Sequence, residues 1–291
     1  MKIYLTTFAS LDIKASAVRF KDQAREMNVY DKINIFTEND LNQDFKDYVF
    51  SLLKKGKKKG FGYWVWQTYL HKLVMSEMEE GDIYHWCDVG CHFNINGITR
   101  LKEYIAMVSD NSNGVLGFQY KDPEFKYKYK NYVFPNYMEY QYTKADLIKF
   151  FGLNNEDKII KSPQIWGGSF FLKKCKISTE IMQQHYDITR NRFDLIDDDE
   201  KKFIEKNVPS FIQHRHSQSV LSILFKKYNC QVLSAYESEW AYDTNKNRTY
   251  EHLKQYPIIA KRDKKKKFFT RFINRQKKTL NRIKKKLIFK N

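Results

Sequence analysis

The start of the chain alternates strand, helix and strand, and this order restricts the possible folds more than any other feature of the sequence. Residues 2–8 (KIYLTTF) and 32–38 (KINIFTE) are rich in the β-branched and aromatic side chains that favour strands. Between them, residues 14–28 repeat apolar side chains at the spacing of one helix face. Because such a unit pairs its strands in parallel beneath a covering helix, the sequence predicts an α/β fold.

The same alternation continues as far as residue 235. Further strands are predicted at 81–90, 114–120, 165–174 and 230–235, and further helices at 40–54, 65–78, 98–110, 177–191 and 216–229. Residues 121–160 are rich in Tyr, Lys and Asn and predict loops and short helices. Because ligands of open α/β sheets bind beyond the carboxyl ends of the strands, residues at those ends are the candidates for function.

The predicted strand 81–90 ends in a carboxylate and a glycine. Asp88 is followed two residues later by Gly90, where the missing side chain allows a ligand to approach the backbone. A carboxylate at a strand end can bind a hard cation, and such a cation commonly bridges substrate phosphates. A turn in which local N–H groups satisfy the carboxylate is the alternative, and spacing alone does not choose between them.

The segment FGYWVWQTY at residues 61–69 concentrates aromatic side chains. Tyr63, Trp64 and Trp66 lie within four residues, and aromatic faces stack on sugars and nucleobases. Two tryptophans two residues apart point to different sides of a helix, so we expect one in the core and one in a site. The basic, glycine-bearing residues 54–64 predict a loop.

Two other segments carry possible function. Gly167 and Gly168 interrupt a strand pattern, which indicates either a bulge or a close approach by a ligand or another backbone. His214, Arg215 and His216 precede a predicted helix, together with Gln218. Arg can hold a phosphate by two parallel hydrogen bonds, His can act as a base, metal ligand or phosphate partner, and a helix start favours anions. A solvated polar cap is the alternative, and the density of polar groups favours a site.

The cysteines and the acidic run give weaker signals. Cys87 and Cys91 are four residues apart and Cys175 and Cys230 stand alone, which favours reduced thiols over a zinc site. Residues 194–203 (DLIDDDEKKF) have no ligand spacing and predict a solvated loop. We find no secretory signal and no window near the ~20 apolar residues that span a bilayer.

Most of the positive charge lies at the C-terminal end. Residues 261–291 hold 15 Lys and Arg against the single acid Asp263, a net +14 of the total +18, which leaves +4 for residues 1–260. At roughly 100° per residue of helix, the apolar side chains of this tail fall within about 60° of one direction. They are Phe269, Phe272, Ile273, Leu280, Ile283 and Leu287. The pattern predicts a basic amphipathic helix on an anionic membrane surface. Binding to nucleic acid or packing on a partner protein are the alternatives, but an apolar face has no use on DNA.

Four segments in this order resemble bacterial glycosyltransferases of the GT-A, nucleotide-diphospho-sugar transferase type, which act in capsule and lipopolysaccharide assembly. They are GYWVWQTYL, GDIYHWCDVGCHFN, QIWGGSFF and HRHSQSVLSIL. The N-terminal segments resemble the same enzymes, so the likeness extends over residues 1–235. It implies a Rossmann-like mixed sheet flanked by helices, as a domain of residues 1–260 that binds a nucleotide sugar across its strand ends.

The resemblance also shows where this chain departs from the family. The Asp-x-Asp motif that holds Mn²⁺ or Mg²⁺ on the diphosphate reads Asp88-Val89-Gly90 here, so the second acid is absent. Either other groups complete the metal shell or cationic side chains replace the metal. Relatives often carry Asp-Gln where this chain has Ser217-Gln218.

The aromatic segment departs from the family in the same way. Gln67 stands where relatives often carry Lys after Trp-x-Trp.

Residue chemistry and resemblance together predict the site. Catalytic roles fall to Asp88, His216 and Gln218, with Asp88 also the metal ligand. The predicted donor contacts are Thr6, Thr7, Phe8, Arg19, Tyr63, Trp64, Trp66, Gln67, Asp88, Gly90, Gly167, Gly168, His214 and Arg215.

The predicted function is transfer of a sugar from a nucleotide diphosphate to a cell-surface glycan or lipid-linked acceptor. We expect a cytoplasmic enzyme held on the inner face of the cell membrane by residues 261–291, with no nucleic-acid partner. The alternatives are an inactive sugar-nucleotide-binding protein of the same fold and a nucleic-acid-binding protein that acts through its basic tail.

Overall fold

A computed structural model describes residues 1–261 of the chain. Its strands are β1 (Ile3–Phe8), β2 (Lys32–Phe36), β3 (Ile83–Cys87), β4 (His92–Phe93), β5 (Val115–Gln119), β6 (Ser169–Lys173), β7 (Gln231–Ser234), β8 (Ala241–Tyr242), β9 (Arg248–Thr249) and β10 (Ile258–Ile259). Its helices are α1 (Lys14–Glu26), α2 (Gln43–Lys54), α3 (Gly60–Tyr63), α4 (Val65–Glu77), α5 (Ile98–Asp110), α6 (Glu139–Tyr142), α7 (Ala145–Phe150), α8 (Lys176–Asn191) and α9 (Ser217–Lys227). Short 3₁₀ turns lie between them.

Six strands form a central sheet in the order β2-β1-β3-β6-β5-β7. β1 pairs in parallel with β2 and β3, β5 pairs in parallel with β7, and β6 runs antiparallel to both of its neighbours. Five strands therefore end at one side of the sheet, where β6 begins. We call this side the carboxyl edge. The predicted α/β fold with a mixed sheet flanked by helices is confirmed.

Helices cover both faces of the sheet. α1 and α5 lie on one face, while α2, α4, α8 and α9 pack together on the other. Because successive strand residues point to opposite faces, Tyr4 and Phe8 of β1 enter one core and Leu5 enters the other. Burial on both faces explains why the four central strands read as nearly continuous apolar runs, whereas the edge strands β2 and β7 are only partly buried.

Several element boundaries differ from the prediction. The strand predicted at 165–174 begins only at Ser169, after both glycines. The loop predicted at 54–64 contains the tight turn α3, where Phe61 and Tyr63 have positive φ, as does Trp64 directly after it. Residues 121–160 hold short helices as expected.

Some expectations concern the chemistry of the whole chain. All four cysteines are free thiols. Within residues 1–261, no helix is long and apolar enough to span a bilayer. Residues 262–291 lie outside the described part, so the amphipathic helix and the division into a domain and a tail stay predictions.

Candidate active site

Asp88 occupies a turn at the carboxyl edge, directly after β3. Its backbone N–H donates to the Gly168 carbonyl at 2.8 Å, and its own carbonyl accepts from the Cys91 N–H at 2.8 Å. The indole Nε1 of Trp86 donates to Asp88 Oδ1 at 3.3 Å. The carboxylate is partly exposed. The turn, which also contains Gly90, is thus joined to the start of β6, and the carboxylate is held at the edge.

Arg19 of α1 binds the backbone of the same turn. Its Nη2 donates to the Val89 carbonyl at 2.7 Å, and its Nη1 donates to the Cys91 carbonyl at 2.8 Å and to Gln23. These bonds fix the backbone on which Asp88 sits. The structure gives Arg19 a positioning role here, and its predicted contact with a donor stays a prediction.

The two cysteines that flank this turn are buried. A hydrogen bond that the Cys91 thiol donates to Cys87, together with burial, raises the pKa of Cys91. Because zinc binds thiolates, a protonated thiol is a poor zinc ligand. This chemistry favours the reduced-thiol interpretation of the pair.

Three separate segments meet at the start of β6. The Gly167 N–H donates to Gln218 Oε1 at 3.1 Å, and Gln67 Nε2 donates to the Gly167 carbonyl at 3.4 Å. Gln218 Nε2 in turn donates to Gln164 Oε1 at 2.9 Å. A Cβ on Gly168 would lie 2.4 Å from the Trp166 indole, so this close approach requires glycine. The glycine pair thus marks an approach by protein groups, and α4 and α9 both reach it.

The two tryptophans of the aromatic segment differ in burial, and a site role for the more exposed one stays a prediction. Trp66 is 5% exposed and stacks on Phe8 at 3.9 Å between ring centroids, with Trp86 on its other side at 6.1 Å. Trp64 is only partly buried and stacks on His216 at 5.7 Å. Trp66 thus packs between Phe8 and Trp86, the residue whose indole donates to Asp88.

His216 lies at the centre of a charged cluster. Its Nδ1 faces the Ile196 carbonyl at 2.9 Å and its Nε2 faces Lys59 Nζ at 2.9 Å. Burial and the Lys59 charge lower the pKa of His216 to about 4. The ring is therefore neutral at pH 7, with its proton on Nδ1 and its Nε2 lone pair accepting from Lys59. Tyr63 stacks on the imidazole at 4.3 Å and donates to Asp198 at 2.6 Å.

The acidic run is not the solvated loop that the sequence predicts. Asp197 is 5% exposed and pairs with Lys57 at 2.6 Å, while Asp198 lies 3.6 Å from Lys59. The acids instead face the basic loop of residues 54–64. The sequence interpretation was wrong because the partners are distant in the chain: Lys57 and Asp197 are 140 positions apart.

His214 is fully enclosed by protein. Its Nε2 faces the Leu195 carbonyl at 2.9 Å, its Nδ1 accepts from the Lys144 N–H at 3.4 Å, and burial holds its pKa well below the ordinary value. Both ring nitrogens thus bind backbone groups. Thr6 and Thr7 are likewise fully buried within β1. For these three residues the structure shows a place in the interior, and a donor contact stays a prediction.

Arg215 lies in a cage of three tyrosines near the end of β5. Its guanidinium carbon is 4.3 Å from the Tyr137 ring centroid, 4.4 Å from that of Tyr142 and 5.4 Å from that of Tyr120. Cation–π contacts of this kind orient a guanidinium without using its N–H donors. Within residues 1–261 the side chain has no hydrogen-bond acceptor, and it is partly exposed. The donors are therefore free to bind an anion.

The structure adds Glu239 and the tyrosine cage to the residues found from sequence. Tyr120 donates to Glu239 Oε1 at 3.3 Å. Both Glu239 and Asp88 raise the pKa of the Cys91 thiol through their charges, so both carboxylates lie near it. Tyr120 ends a predicted strand and could have been found by that rule. Glu239 comes from residues 236–260, where no pattern predicted an element.

Asp88 suits one particular mode of metal binding. Among the residues the structure describes, no three His, Cys, Asp or Glu side chains are placed to hold a metal ion. Mg²⁺ is commonly bound by one or two carboxylates together with substrate phosphates. Asp88 fits a cation in that mode, in which the substrate supplies most of the ligands.

Comparisons with known proteins gave matches among solved structures alone. No family model matches the sequence, and no curated protein does. The chain is similar to a glycosyltransferase involved in the glycosylation of the major capsid of PBCV-1, at 9% identity and a TM-score of 0.48, over 91% of this chain and 94% of that chain. It is similar to mouse xyloside xylosyltransferase 1 in its apo form, at 11% identity and 0.38, over 81% and 73%.

A third similar structure is the galactosyltransferase LgtC in complex with donor and acceptor sugar analogues. The identity is 10% and the TM-score 0.38, over 82% of this chain and 75% of that chain. All three are glycosyltransferases. At identities of 9–11% and TM-scores of 0.38–0.48, these similarities establish no substrate, activity or family for this chain.

Proposed function

We propose that this protein is a glycosyltransferase that binds a nucleotide-diphosphate sugar at the carboxyl edge of its sheet. The observation that carries the proposal is the presence of an acid and a base at that edge. Asp88 offers a fixed carboxylate at the end of β3, and Arg215 offers an uncommitted guanidinium near the end of β5. Ligands of open α/β sheets bind in this position.

The chemistry of sugar transfer suits these residues. The leaving nucleoside diphosphate gains negative charge, which preorganised donors stabilise. The Arg215 fork can take two phosphate oxygens in parallel. At the anomeric centre the transition state has oxocarbenium character, which a nearby carboxylate such as Asp88 or Glu239 would stabilise. Gln218, held by Gly167 and Gln164, offers a fixed amide to sugar hydroxyls.

A divalent cation is compatible with this arrangement but is not required by it. If Mn²⁺ or Mg²⁺ binds, Asp88 would hold it against the diphosphate, and the ion would neutralise charge on the leaving group. Arg215 and Lys59 supply positive charge from the protein itself. Lys59 is half exposed, and His216 Nε2 and Asp198 fix its position.

A sugar-nucleotide-binding protein without catalysis is the second candidate. The specific observation in its favour is the single carboxylate of the Asp88-Val89-Gly90 turn. Such a protein would bind a donor at the same edge and release it unchanged.

The acceptor and the location follow from the tail. We propose that residues 261–291 lie on an anionic membrane surface, because fifteen cationic side chains accompany an apolar stripe. Each Lys or Arg near such a surface contributes ~1 kcal/mol. A lipid-linked or cell-surface glycan is then the natural acceptor, as in capsule or lipopolysaccharide assembly, and nucleic acid is not expected.

A thermal-shift screen of UDP-, GDP- and CMP-sugars, with and without Mn²⁺, tests the proposal. A donor present at a hundred times its Kd stabilises the folded state by about 2.7 kcal/mol, which raises the melting temperature by several degrees. Donor hydrolysis or transfer is then measured with the same nucleotide sugar. We expect Asp88→Asn to lower turnover by about 100-fold or more, the size of a lost electrostatic contact.

Asp44→Asn is the matched control. Asp44 is a 75% exposed carboxylate on α2 that pairs with Arg190, so its loss should leave binding and turnover unchanged. Donor binding without turnover in the unmodified protein would favour the inactive binding protein. The absence of any melting shift with every donor, with or without Mn²⁺, would refute both candidates.

A further inference from the structure

A loop beside the charged cluster exposes apolar side chains to solvent. We call residues 203–212 (FIEKNVPSFI) the apolar loop. Ile204 is 88% exposed, the largest exposure of any large hydrophobic side chain in residues 1–261, and Ile212 is 47% exposed. Single exposed apolar side chains are ordinary on protein surfaces, so the charges near Ile204 decide whether this loop is a contact site.

The loop is held in place by its backbone. The N–H groups of Ile204 and Glu205 donate to Asp146 of α7 at 3.1 and 2.7 Å, and the Ile212 N–H donates to the Gln141 carbonyl at 2.8 Å. At the base of the loop the Phe203 and Phe211 rings meet edge to face at 6.3 Å. The exposure of Ile204 is therefore imposed by an ordered loop that has its own small apolar base.

Acids near the loop already have cationic partners. Glu205 pairs with Lys149 at 2.5 Å, and Asp197 pairs with both Lys57 and Lys202. Their negative charge is thus largely neutralised within the protein.

Exposed lysines around the loop remain unpaired. Lys201 and Lys206 lie in or beside it, and the basic loop joined through Asp197 adds Lys54, Lys55 and Lys58. No ion pair to these five occurs in the part of the chain that the structure describes. The surface therefore presents an apolar tip with unpaired lysines beside it in the chain and in the adjoining basic loop.

We propose that the apolar loop and these five lysines form a lipid-contacting face, with Ile204 entering the headgroup boundary of an anionic membrane. Apolar side chains flanked by Lys suit this boundary, because the apolar group leaves water while the ammonium groups meet lipid phosphates. A protein partner fits less well, since the cores of protein interfaces are depleted in Lys. The inference deepens the proposed membrane location and rests on it.

This face lies close to the candidate site in the chain and in space. The apolar loop leads directly into His214, Arg215 and His216, and the basic loop supplies Lys59 to His216. Contact with lipid at this face would hold the Arg215 side of the carboxyl edge near the membrane. A lipid-linked acceptor would then reach the site without leaving the bilayer.

Vesicle flotation of the full-length chain tests the face separately from the tail. The probes are vesicles of phosphatidylcholine alone and of phosphatidylcholine with phosphatidylglycerol. We expect Ile204→Asp to lower the bound fraction on anionic vesicles by about tenfold, because a carboxylate replaces the inserted side chain. Because the Ile204 side chain is so exposed, the Ile204→Asp variant should have the same melting temperature as the unmodified protein.

Val18→Asp is the matched control. Val18 is 54% exposed on α1, which covers the opposite face of the sheet, so this variant should float like the unmodified chain. Equal flotation of Ile204→Asp and the unmodified chain would overturn the proposal. So would light scattering that showed a dimer dissociated by Ile204→Asp with vesicle binding retained, since the loop would then be an interface between copies. Donor binding and turnover with a soluble acceptor should be unchanged in Ile204→Asp, so a failed lipid face and a failed enzyme proposal give different results.

Discussion

The Arg215 guanidinium is oriented by contacts that leave its N–H donors available. The rings of Tyr137 and Tyr142 hold the guanidinium plane by cation–π contact, which leaves its five N–H groups available. A lysine in this cage would keep the charge but lose the planar fork. The position therefore discriminates between recognition of charge and recognition of a two-oxygen group such as phosphate.

We expect Arg215→Lys to lower kcat/KM for the donor by about 10- to 100-fold, the cost of losing a charge-assisted bidentate contact. Steady-state kinetics with the donor identified by thermal shift would measure this effect. Arg248→Lys is the control, because Arg248 also lies over an aromatic ring, Trp240, at 4.1 Å. Equal kinetics for the two variants would exclude Arg215 from donor recognition.

Sequence pattern predicts some of the residues at the carboxyl edge and not others. Asp88 and Tyr120 are placed by local pattern alone, since each stands at the end of a predicted strand. Glu239 has no such signal. His214 has the residue type of a ligand, yet its two ring nitrogens bind backbone groups. Whether a polar side chain faces a backbone carbonyl or a cavity depends on long-range packing, which spacing does not encode.

The turn α3 and the residue after it have an unusual backbone conformation. Phe61, Tyr63 and Trp64 all adopt left-handed backbone conformations, which carry a cost for residues with a Cβ. The turn brings Tyr63 and Trp64 onto His216 and leads Lys59 to its Nε2. Strain that persists beside a candidate site is commonly part of how that site is organised.

Gly60→Ala tests this turn. Gly60 has φ +56°, and a Cβ would lie 2.3 Å from the Trp64 indole, so the ring would have to leave His216. We expect a loss of about 3 kcal/mol in the free energy of unfolding, from left-handed strain together with the clash. Urea unfolding of the variant would measure it.

Gly56→Ala separates the two contributions. Gly56 has φ +80° in the same basic loop, but nothing lies within 4 Å of its Cβ position. Strain alone should cost this variant about 1 kcal/mol. Equal destabilisation of the two variants would show that the indole contact with Gly60 has no energetic weight.

At the level of elements, the sequence predicted the strands better than their arrangement. All six strands of the central sheet fall within the predicted ranges, because apolar residues recur along each of them either densely or in alternation. The antiparallel direction of β6 was not apparent, since strand direction depends on the long connection through residues 121–160. The short pairs β4–β10 and β8–β9 were missed, because two-residue strands carry no periodicity.

The whole molecule buries most of its histidines. Six of the seven have pKa values lowered chiefly by burial: His85 to about 3, His185, His216 and His252 to about 4, and His71 and His214 well below the ordinary value. The histidines of the unfolded chain have pKa values near 6.5. As the pH falls, the unfolded chain therefore binds protons at these rings before the folded chain does. The stability from these groups is complete above about pH 6.5 and is lost towards the folded pKa values.

This loss of stability predicts that the protein unfolds in acid at a pH well above the pH range in which carboxylates titrate. Each buried histidine should lower the free energy of unfolding by about 2 kcal/mol between pH 7 and pH 5, so six together match the usual 5–15 kcal/mol stability of a domain. We expect a midpoint near pH 5, measured by circular dichroism in the full-length chain. His185→Gln keeps a donor for Ser217, which His185 Nε2 contacts, and should reduce the slope of unfolding free energy against pH by about one sixth. A midpoint below pH 4, or an unchanged slope in His185→Gln, would mean that the folded protein protonates these rings and does not exclude the charge.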